Sequence, residues 1–191
     1  MDDDTFWTLI ERFRRRTPDP DERLARLVGE LARGPESEAV RFQLCLDRAL
    51  LPTATWDLWA AADRIMGWCS DDSFFYFRLW LVGLGRETFE RVVADPDALA
   101  GVPEVSRLAG RNPADWDDEE WLEWEGLDFV AGRAFVQVTG RTEEDFYAAV
   151  EECGGLGAEA LEPSGERWEA NDDEQAHRRL PRLSALFPAE R

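Results

Sequence analysis

Lysine is absent from this sequence of 191 residues, and histidine and cysteine are scarce. All 22 basic residues are arginine, and the single histidine, His177, lies near the C-terminal end. Nucleophilic catalysis usually requires a base beside the nucleophile, so one distant histidine disfavours a Cys–His or Ser–His enzyme. The three cysteines, Cys45, Cys69 and Cys153, form no C-x-x-C pair, which argues against a disulfide framework and against a zinc site.

Long apolar segments and a basic N-terminal start are also missing. No uncharged run approaches the roughly 20 residues that a membrane-spanning helix needs. Met1 is followed by three aspartates, unlike the basic start of a signal peptide. We therefore expect a cytoplasmic protein that does not act at a membrane. No cofactor motif and no metal-ligand spacing is present, so we expect neither a cofactor nor a metal, and we assign no catalytic residue.

Acidic residues dominate the charge. The chain has 41 Asp and Glu residues and a net charge of −19, which repels phosphate backbones and makes nucleic acid a poor partner. The charge is uneven, because residues 1–95 carry −5 and residues 96–191 carry −14. Hydrophobic residues still make up 44% of the sequence, including nine Trp and eleven Phe. The composition indicates a folded acidic protein for which a basic partner is expected.

Apolar residues repeat at helical spacing through most of the chain. Phe6, Leu9, Ile10 and Phe13 form the first such stripe, and similar stripes follow over residues 24–31 and 39–50. The segments at about 56–68 and 71–82 are apolar around most of their circumference, as helices at the centre of a protein are. We predict an all-α fold, a compact multi-helix bundle with two central, mostly buried helices. Residues 1–160 are expected to form the helical domain, and residues 161–191 an acidic C-terminal tail with a short helix that packs back on the domain.

Charged residues inside the two central segments form the first candidate site. Arg78 is surrounded in sequence by aromatic and aliphatic residues, so we expect it to be buried against a carboxylate, and Asp57 and Asp63 are the leading candidates. The simplest interpretation is an ion pair that holds the two helices in register. In the alternative, Asp57, Asp63, Tyr76 and Arg78 meet a small ligand in a pocket as acid–base and anion-holding groups.

An acidic segment rich in tryptophan forms the second candidate site. Residues 115–125 carry seven carboxylates, and residues 115–138 are predicted to form one long helix. Because Trp116 and Trp121 lie off the apolar seam that contains Trp124, at least one of the three should be exposed. A solvated helix start is the simplest interpretation. In the functional one, a surface docks a basic partner, and its candidate residues are Trp116, Asp117, Asp118, Glu120 and Trp121.

Four blocks of the sequence resemble a known bacterial family. They are residues 1–9, W-D-L-W-A-A-A at residues 56–62, C-S-D-D-x-F-x-Y-F-R-x-W-L-x-G at residues 69–83, and R-L-P-R-L-S-A-L-F at residues 179–187. Together they resemble the family called domain of unknown function 4240. The resemblance implies a compact helical domain, and it supplies no activity and no catalytic residue.

Two hypotheses of different classes follow for the function. In the first, the protein is a non-catalytic interaction module whose acidic C-terminal half docks a basic protein, as an inhibitor or an immunity-like protein would. In the second, it binds a small molecule or is an enzyme that uses the cluster between the two central helices. The uneven charge and the scarcity of bases and nucleophiles favour the first hypothesis.

Overall fold

The computed structural model describes residues 1–155 and 161–188 as helices joined by turns. The α-helices are α1 (Asp3–Arg16), α2 (Pro20–Leu31), α3 (Glu36–Leu50), α4 (Trp56–Met66), α5 (Asp71–Gly83), α6 (Arg86–Ala94), α7 (Pro103–Ser106), α8 (Val130–Thr139), α9 (Glu143–Glu152), α10 (Asp173–Arg179) and α11 (Pro181–Leu186). Within the described residues there is no β-strand, and an isolated bridge joins Thr55 to Ser164. None of the described helices is long and apolar enough to cross a bilayer. The predicted all-α bundle is confirmed.

Of the two helices that the sequence places at the centre, α4 begins and ends at capping residues and α5 begins at one. At the start of α4 the Thr55 hydroxyl accepts a hydrogen bond from the Leu58 N–H (3.2 Å), and the helix ends at Gly67 with a φ of +79°. Ser70 caps α5 in the same way by accepting from the Ser73 N–H at 3.1 Å. These side chains satisfy backbone donors that have no partner inside a helix. Both ends of α4 and the start of α5 therefore follow from local sequence.

The single helix predicted over residues 115–138 is wrong. The segment forms short 3-10 turns at Pro113–Asp115, Asp118–Glu120 and Glu125–Leu127, and α8 begins only at Val130. Asp117 starts one turn, with its N–H donating to the Glu120 carboxylate at 3.0 Å. At Trp124 the backbone leaves helical geometry, and the Trp124 N–H donates to the Tyr76 carbonyl at 3.1 Å. Local capping and a tertiary backbone bond outweigh helical spacing here.

Two glycines allow this segment to lie close to the bundle. A Cβ atom on Gly83 of α5 would lie 2.7 Å from the Trp124 ring, and a Cβ atom on Gly126 would lie 2.3 Å from Cδ1 of Leu24. Both distances are shorter than van der Waals contact, so a larger residue would force the neighbour to move. The indole of Trp124 thus packs directly on the backbone of α5.

Residues 161–188, the C-terminal segment, belong to the same core and carry both α10 and α11. The buried side chains of this segment include Trp168, Ala170, Ala176, Leu180, Leu183 and Phe187. At the start of α11, the backbone N–H groups of Arg182 and Leu183 donate to the buried carboxylate of Asp97 at 3.0 and 2.8 Å, a favourable place for a negative charge. The predicted boundary at residue 160 and residues 189–191 lie outside the described residues.

Arg64 of α4 fastens the C-terminal segment to the bundle. The residue is only 8% exposed. Its Nε donates to the Phe187 carbonyl (2.6 Å), Nη1 to the Ala170 carbonyl (2.9 Å) and Nη2 to the Asp173 carboxylate (2.9 Å). A buried guanidinium is tolerated when its donors find acceptors. The burial of Arg64 has one signal in the sequence, which is its position inside an apolar helix.

We predict that Arg64→Ala loosens the C-terminal segment. The substitution leaves two buried carbonyl groups without their donor, and each such loss costs about 1–3 kcal/mol. The free energy of unfolding should therefore fall by about 2–6 kcal/mol, as measured by urea denaturation, and limited proteolysis should cut within residues 161–188. Arg178→Ala, at an exposed position of α10, is the matched control. An Arg64→Ala protein as stable and as protease-resistant as its parent would contradict this role.

Candidate functional site

A cleft of about 840 Å³ lies between the α4–α5 region and the C-terminal segment. One wall consists of α4, the connection over residues 68–70 and the first turns of α5, and the opposite wall consists of residues 161–163 and 167–170. The volume is within the range of small-ligand sites. Its aromatic lining residues are Trp56, Trp59, Trp68, Phe74 and Trp168.

Three of these aromatic rings form a stacked column. Trp56 and Trp59, three residues apart on one face of α4, stack at 5.5 Å and 22°, and Trp59 stacks on Phe74 of α5 at 4.6 Å and 20°. A guanidinium lies beyond each end of the column, because Arg167 is 4.7 Å from the Trp56 ring and Arg78 is 5.6 Å from the Phe74 ring. Such cation–π contacts are favourable. The column ties α4, α5 and the C-terminal segment together along the cleft.

Trp68 is the exposed tryptophan of the described residues. It lies in the connection between α4 and α5, lines the cleft and has 72% of its surface accessible. The preceding Gly67 has a φ of +79°, which favours glycine and turns the chain out of α4. An exposed indole at the edge of a concave site is a suitable anchor for a partner.

Asp63 and Cys69 meet where the connection crosses the cleft. The Asp63 carboxylate accepts a hydrogen bond from the Cys69 N–H at 2.8 Å, and the Trp59 indole donates to the Cys69 carbonyl at 3.1 Å. Burial raises the pKa of Asp63 above its usual value, helped by the charge of Glu169 and opposed by the Cys69 N–H. Burial and the nearby Asp63 charge also raise the pKa of the Cys69 thiol. Cys69 therefore stays protonated at neutral pH and is a poor nucleophile.

Carboxylates outnumber arginines in the cleft. The acidic lining residues are Asp63, Asp71, Asp72, Glu162 and Glu169, and the basic ones are Arg78 and Arg167. All of the acids except the half-buried Asp63 are exposed, whereas Arg78 is buried. The accessible part of the cleft is therefore aromatic and mainly negative.

Arg78 is buried, as predicted, and two of its hydrogen bonds go to neutral groups. The residue is 1% exposed, its Nε donates to the Thr53 hydroxyl (2.8 Å), and its Nη2 donates to the Leu50 carbonyl (3.1 Å). Leu50 is the last residue of α3, where carbonyl groups have no partner within the helix and are ready acceptors. Burial lowers the pKa of Arg78 to about 10. The guanidinium is therefore still charged at neutral pH.

The predicted pairing of Arg78 with Asp57 or Asp63 is wrong. In the described contacts, the Asp57 carboxylate accepts from the Trp168 indole at 2.8 Å and from Arg179 at 3.1 Å, while Asp63 accepts from a backbone N–H. Asp57 thus connects α4 to the C-terminal segment, a contact that separations of more than one hundred residues hide from sequence patterns.

Two of the four residues predicted to share a pocket line the cleft. Asp63 and Arg78 do so, whereas Asp57 and Tyr76 are not among its lining residues. The Tyr76 hydroxyl donates to the Glu125 carboxylate at 3.0 Å in an exposed contact. Sequence reasoning missed Trp68, Arg167 and the ring column. The glycine before Trp68 and the repeat of Trp56 and Trp59 at a three-residue interval are the signals that mark two of them.

The expectation of an exposed tryptophan in the acidic segment is wrong. Trp116 is 7% exposed, while Trp121 and Trp124 are half-buried. Trp121 packs edge-on against Trp116 with 5.3 Å between ring centroids. The prediction assumed one straight helix with a single buried face. In separate turns, each indole orients independently, so Trp116 is buried while Trp121 and Trp124 reach the protein surface only in part.

The acids of this segment differ in their surroundings. Asp117 and Asp118 are exposed, whereas Glu120 accepts from the Arg111 guanidinium at 2.6 and 2.8 Å. The hydrogen bonds from Arg111 and from the Asp117 N–H lower the pKa of Glu120 to about 2. Part of the segment's charge is therefore neutralised within the protein.

The cleft contains two titratable groups that lie side by side, the Asp63 carboxyl and the Cys69 thiol. Asp63 is a half-buried carboxyl that can exchange a proton near its raised pKa, but the neighbouring thiol of Cys69 is not activated by a base. Across residues 1–155 and 161–188, no group of three or more His, Cys, Asp or Glu side chains is arranged to hold a metal ion. The cleft offers aromatic surface, carboxylates and one exposed guanidinium.

We predict that Arg78→Ala lowers the free energy of unfolding by about 3–5 kcal/mol, because it removes a buried charged donor and leaves a cavity. Thr53→Val removes one of its acceptors and should cost about 1–3 kcal/mol. Urea denaturation measures both values. Unfolding of Arg78→Ala at the parent's urea midpoint would show that the guanidinium contributes nothing to the core.

Comparison with known proteins gives a family and nothing further. A family model described as "Protein of unknown function (DUF4240)" matches residues 1–137. The match includes three of the four sequence blocks that carry the resemblance, whereas the block at residues 179–187 lies beyond it. Neither the curated proteins nor the solved structures that were compared gave a match. Because the model covers more than half of the sequence, the chain belongs to the DUF4240 family, whose function is unknown.

Proposed function

We propose that this protein is a non-catalytic binding module whose cleft receives a cationic group of a basic protein partner. The observation that carries the proposal is the juxtaposition of Trp68, which is 72% exposed, with aromatic rings and five carboxylates in one concave site. Aromatic faces attract cations, and the attraction grows when the cation is desolvated. The carboxylates supply the opposite charge for the same ligand.

The charge of the whole molecule supports a basic partner. A net charge of −19 creates a negative field that accelerates encounters with cationic proteins and weakens as salt is added. The same negative field repels nucleic acid. That nucleic acid is not a partner remains a prediction, which is based on charge alone. A cytoplasmic location and an inhibitor or immunity-like role are further parts of this proposal.

The cleft is a better docking surface than the acidic segment over residues 115–125. The segment lacks an exposed indole, since Trp116 is buried and Trp121 is half-buried against it. Glu120 is already paired with Arg111. The cleft combines an exposed indole with exposed carboxylates, the arrangement that was predicted for residues 115–125.

A small organic cation is the second candidate ligand. The volume of about 840 Å³ suits a drug-sized molecule, and aromatic sites with nearby carboxylates bind ammonium groups. Asp63 would then be its half-buried counter-charge. A basic protein is preferred because Trp68 and the exposed acids lie at an accessible surface, where a larger partner can contact them together.

We predict that a short arginine- and lysine-rich peptide binds at low ionic strength and that Trp68→Ala weakens this binding. Loss of an aromatic anchor at an interface commonly costs about 1–2 kcal/mol or more, which is about fivefold to thirtyfold in Kd. Isothermal titration calorimetry measures the change, with an acidic peptide of equal length as the ligand control.

Trp121→Ala is the matched control variant, because it removes an indole from the acidic segment and leaves the cleft intact. It should bind the peptide as tightly as the parent does. If Trp121→Ala lost binding while Trp68→Ala kept it, the docking surface would be the acidic segment. If neither peptide bound the parent protein, the proposal of a basic partner would be wrong.

The raised pKa of Asp63 makes cation binding dependent on pH. As pH falls from neutral, Asp63 becomes protonated at a higher pH than an ordinary aspartate, so the cleft loses negative charge and the Kd for a basic peptide should rise. Asp63→Asn should bind more weakly at neutral pH and should lack this part of the pH dependence. Fluorescence anisotropy of a labelled peptide measures both profiles, and Asp118→Asn is the control outside the cleft. If Asp63→Asn and the parent gave the same dependence of Kd on pH, Asp63 would not contribute to peptide binding.

A further inference from the structure

Arg167 already places a cation on the aromatic wall of the cleft. Its guanidinium carbon lies 4.7 Å from the centre of the Trp56 ring. The opposite side of Trp56 is stacked on Trp59, so Arg167 takes the ring face that lies outside the column. The site therefore shows, within the chain itself, how a guanidinium fits this surface.

Arg167 has fewer polar contacts than Arg78 and Arg179, two other arginines that lie over aromatic rings. Arg78 lies over Phe74 but also donates to Thr53 and Leu50. Arg179 lies over Trp168 at 5.5 Å and is also bonded to carboxylates. Arg167 is exposed, and among the described contacts no carboxylate lies within ion-pair distance of it. An exposed cation–π contact without an ion pair is readily exchanged.

We infer that Arg167 is an internal occupant of a guanidinium subsite on Trp56, and that an arginine side chain of the partner displaces it. This inference rests on the proposed function, and it specifies the partner's cation as a guanidinium. Displacement breaks the contact between Arg167 and Trp56 and forms an equivalent contact between the partner's arginine and the same ring. The incoming arginine can also interact with the exposed carboxylates of the cleft. Arg167 thus lowers the affinity for the partner and favours ligands that stack better than it does.

The flat shape of the subsite favours arginine over lysine. A guanidinium is planar and weakly hydrated, so it stacks on an indole face at a small desolvation cost, whereas an ammonium is compact and strongly hydrated. Against the same carboxylates the two cations have equal charge. A difference in affinity between an arginine ligand and a lysine ligand therefore measures the contribution of stacking on the Trp56 ring. The general negative charge of the protein contributes equally to both.

The experiment compares hexaarginine and hexalysine, which have the same number of cationic side chains, as ligands of the full chain. Isothermal titration calorimetry at low ionic strength should give tighter binding of hexaarginine. Arg167→Ala should bind hexaarginine about two- to fivefold more tightly than the parent, since one exposed cation–π contact no longer competes. Arg16→Ala, which removes an exposed arginine outside the cleft lining, should leave the affinity unchanged.

Nuclear magnetic resonance detects the displacement directly. The side-chain protons of Arg167 should be shifted by the Trp56 ring current in the free protein and should move to ordinary arginine positions when hexaarginine is bound. Arg167→Lys identifies these signals, because they disappear in that variant. The readout separates displacement from a simple loss of repulsive charge, which would tighten binding without moving Arg167 in the parent.

The outcomes distinguish the inference from the proposed function. Tighter binding by Arg167→Ala together with moving Arg167 signals supports displacement. Binding of hexaarginine to the parent with unmoved Arg167 signals, or with unchanged affinity in Arg167→Ala, overturns the inference and leaves the binding module standing. Failure of both peptides to bind the parent and Arg167→Ala overturns the proposed function as well.

Discussion

A guanidinium buried inside an apolar helix must find hydrogen-bond acceptors, and this requirement shapes the centre of the protein. Each central helix carries one such residue, Arg64 in α4 and Arg78 in α5. Both use backbone carbonyl groups outside their own helix, Arg64 those of the C-terminal segment and Arg78 that of Leu50 at the end of α3. The charges therefore tie the ends of other elements to the two helices, which orients everything that packs around them.

The cleft depends directly on the contacts made by Arg64. Its wall from the C-terminal segment is held through the carbonyl groups of Ala170 and Phe187 and through Asp173, and Asp57 adds bonds to Trp168 and Arg179. The other wall lies within residues 1–137, which match the family model. The site is thus assembled from a part with recognised relatives and a part outside that match, and a stable core contact joins them.

The sequence predicts those structural features that depend on interactions between residues close together in the chain. Helix bounds at α4 and α5 follow from Thr55, Gly67 and Ser70, because caps act within a few residues. The burial of Arg78 follows from its apolar neighbours. Its acceptor at Leu50 was not predictable, since any unpaired carbonyl at a helix end can accept the bond and a carbonyl carries no residue signature. The prediction of one helix over residues 115–138 was wrong for a related reason. The path of this segment depends on a hydrogen bond from the Trp124 N–H to the Tyr76 carbonyl, which the spacing of apolar residues does not indicate.

The candidate site was predictable only in part, because it joins residues distant in sequence. Asp63 and Arg78 were identified from their unusual place in apolar helices. Arg167 and Trp168 reach the same cleft through the tertiary fold, and the interaction of Arg167 with Trp56 spans more than one hundred positions. Charge composition pointed to a basic partner, but it does not specify which aromatic residue is accessible.

The long sequence separation of the Arg64 contacts has a consequence for synthesis of the protein. The acceptors of Arg64 follow it by 106 to 123 residues, and the last of them belongs to Phe187. While the ribosome is still producing the chain, α4 can be complete, but its arginine has no internal acceptors and remains hydrated. Arg64 therefore cannot hold the second wall of the cleft in place until the chain has been synthesised through Phe187.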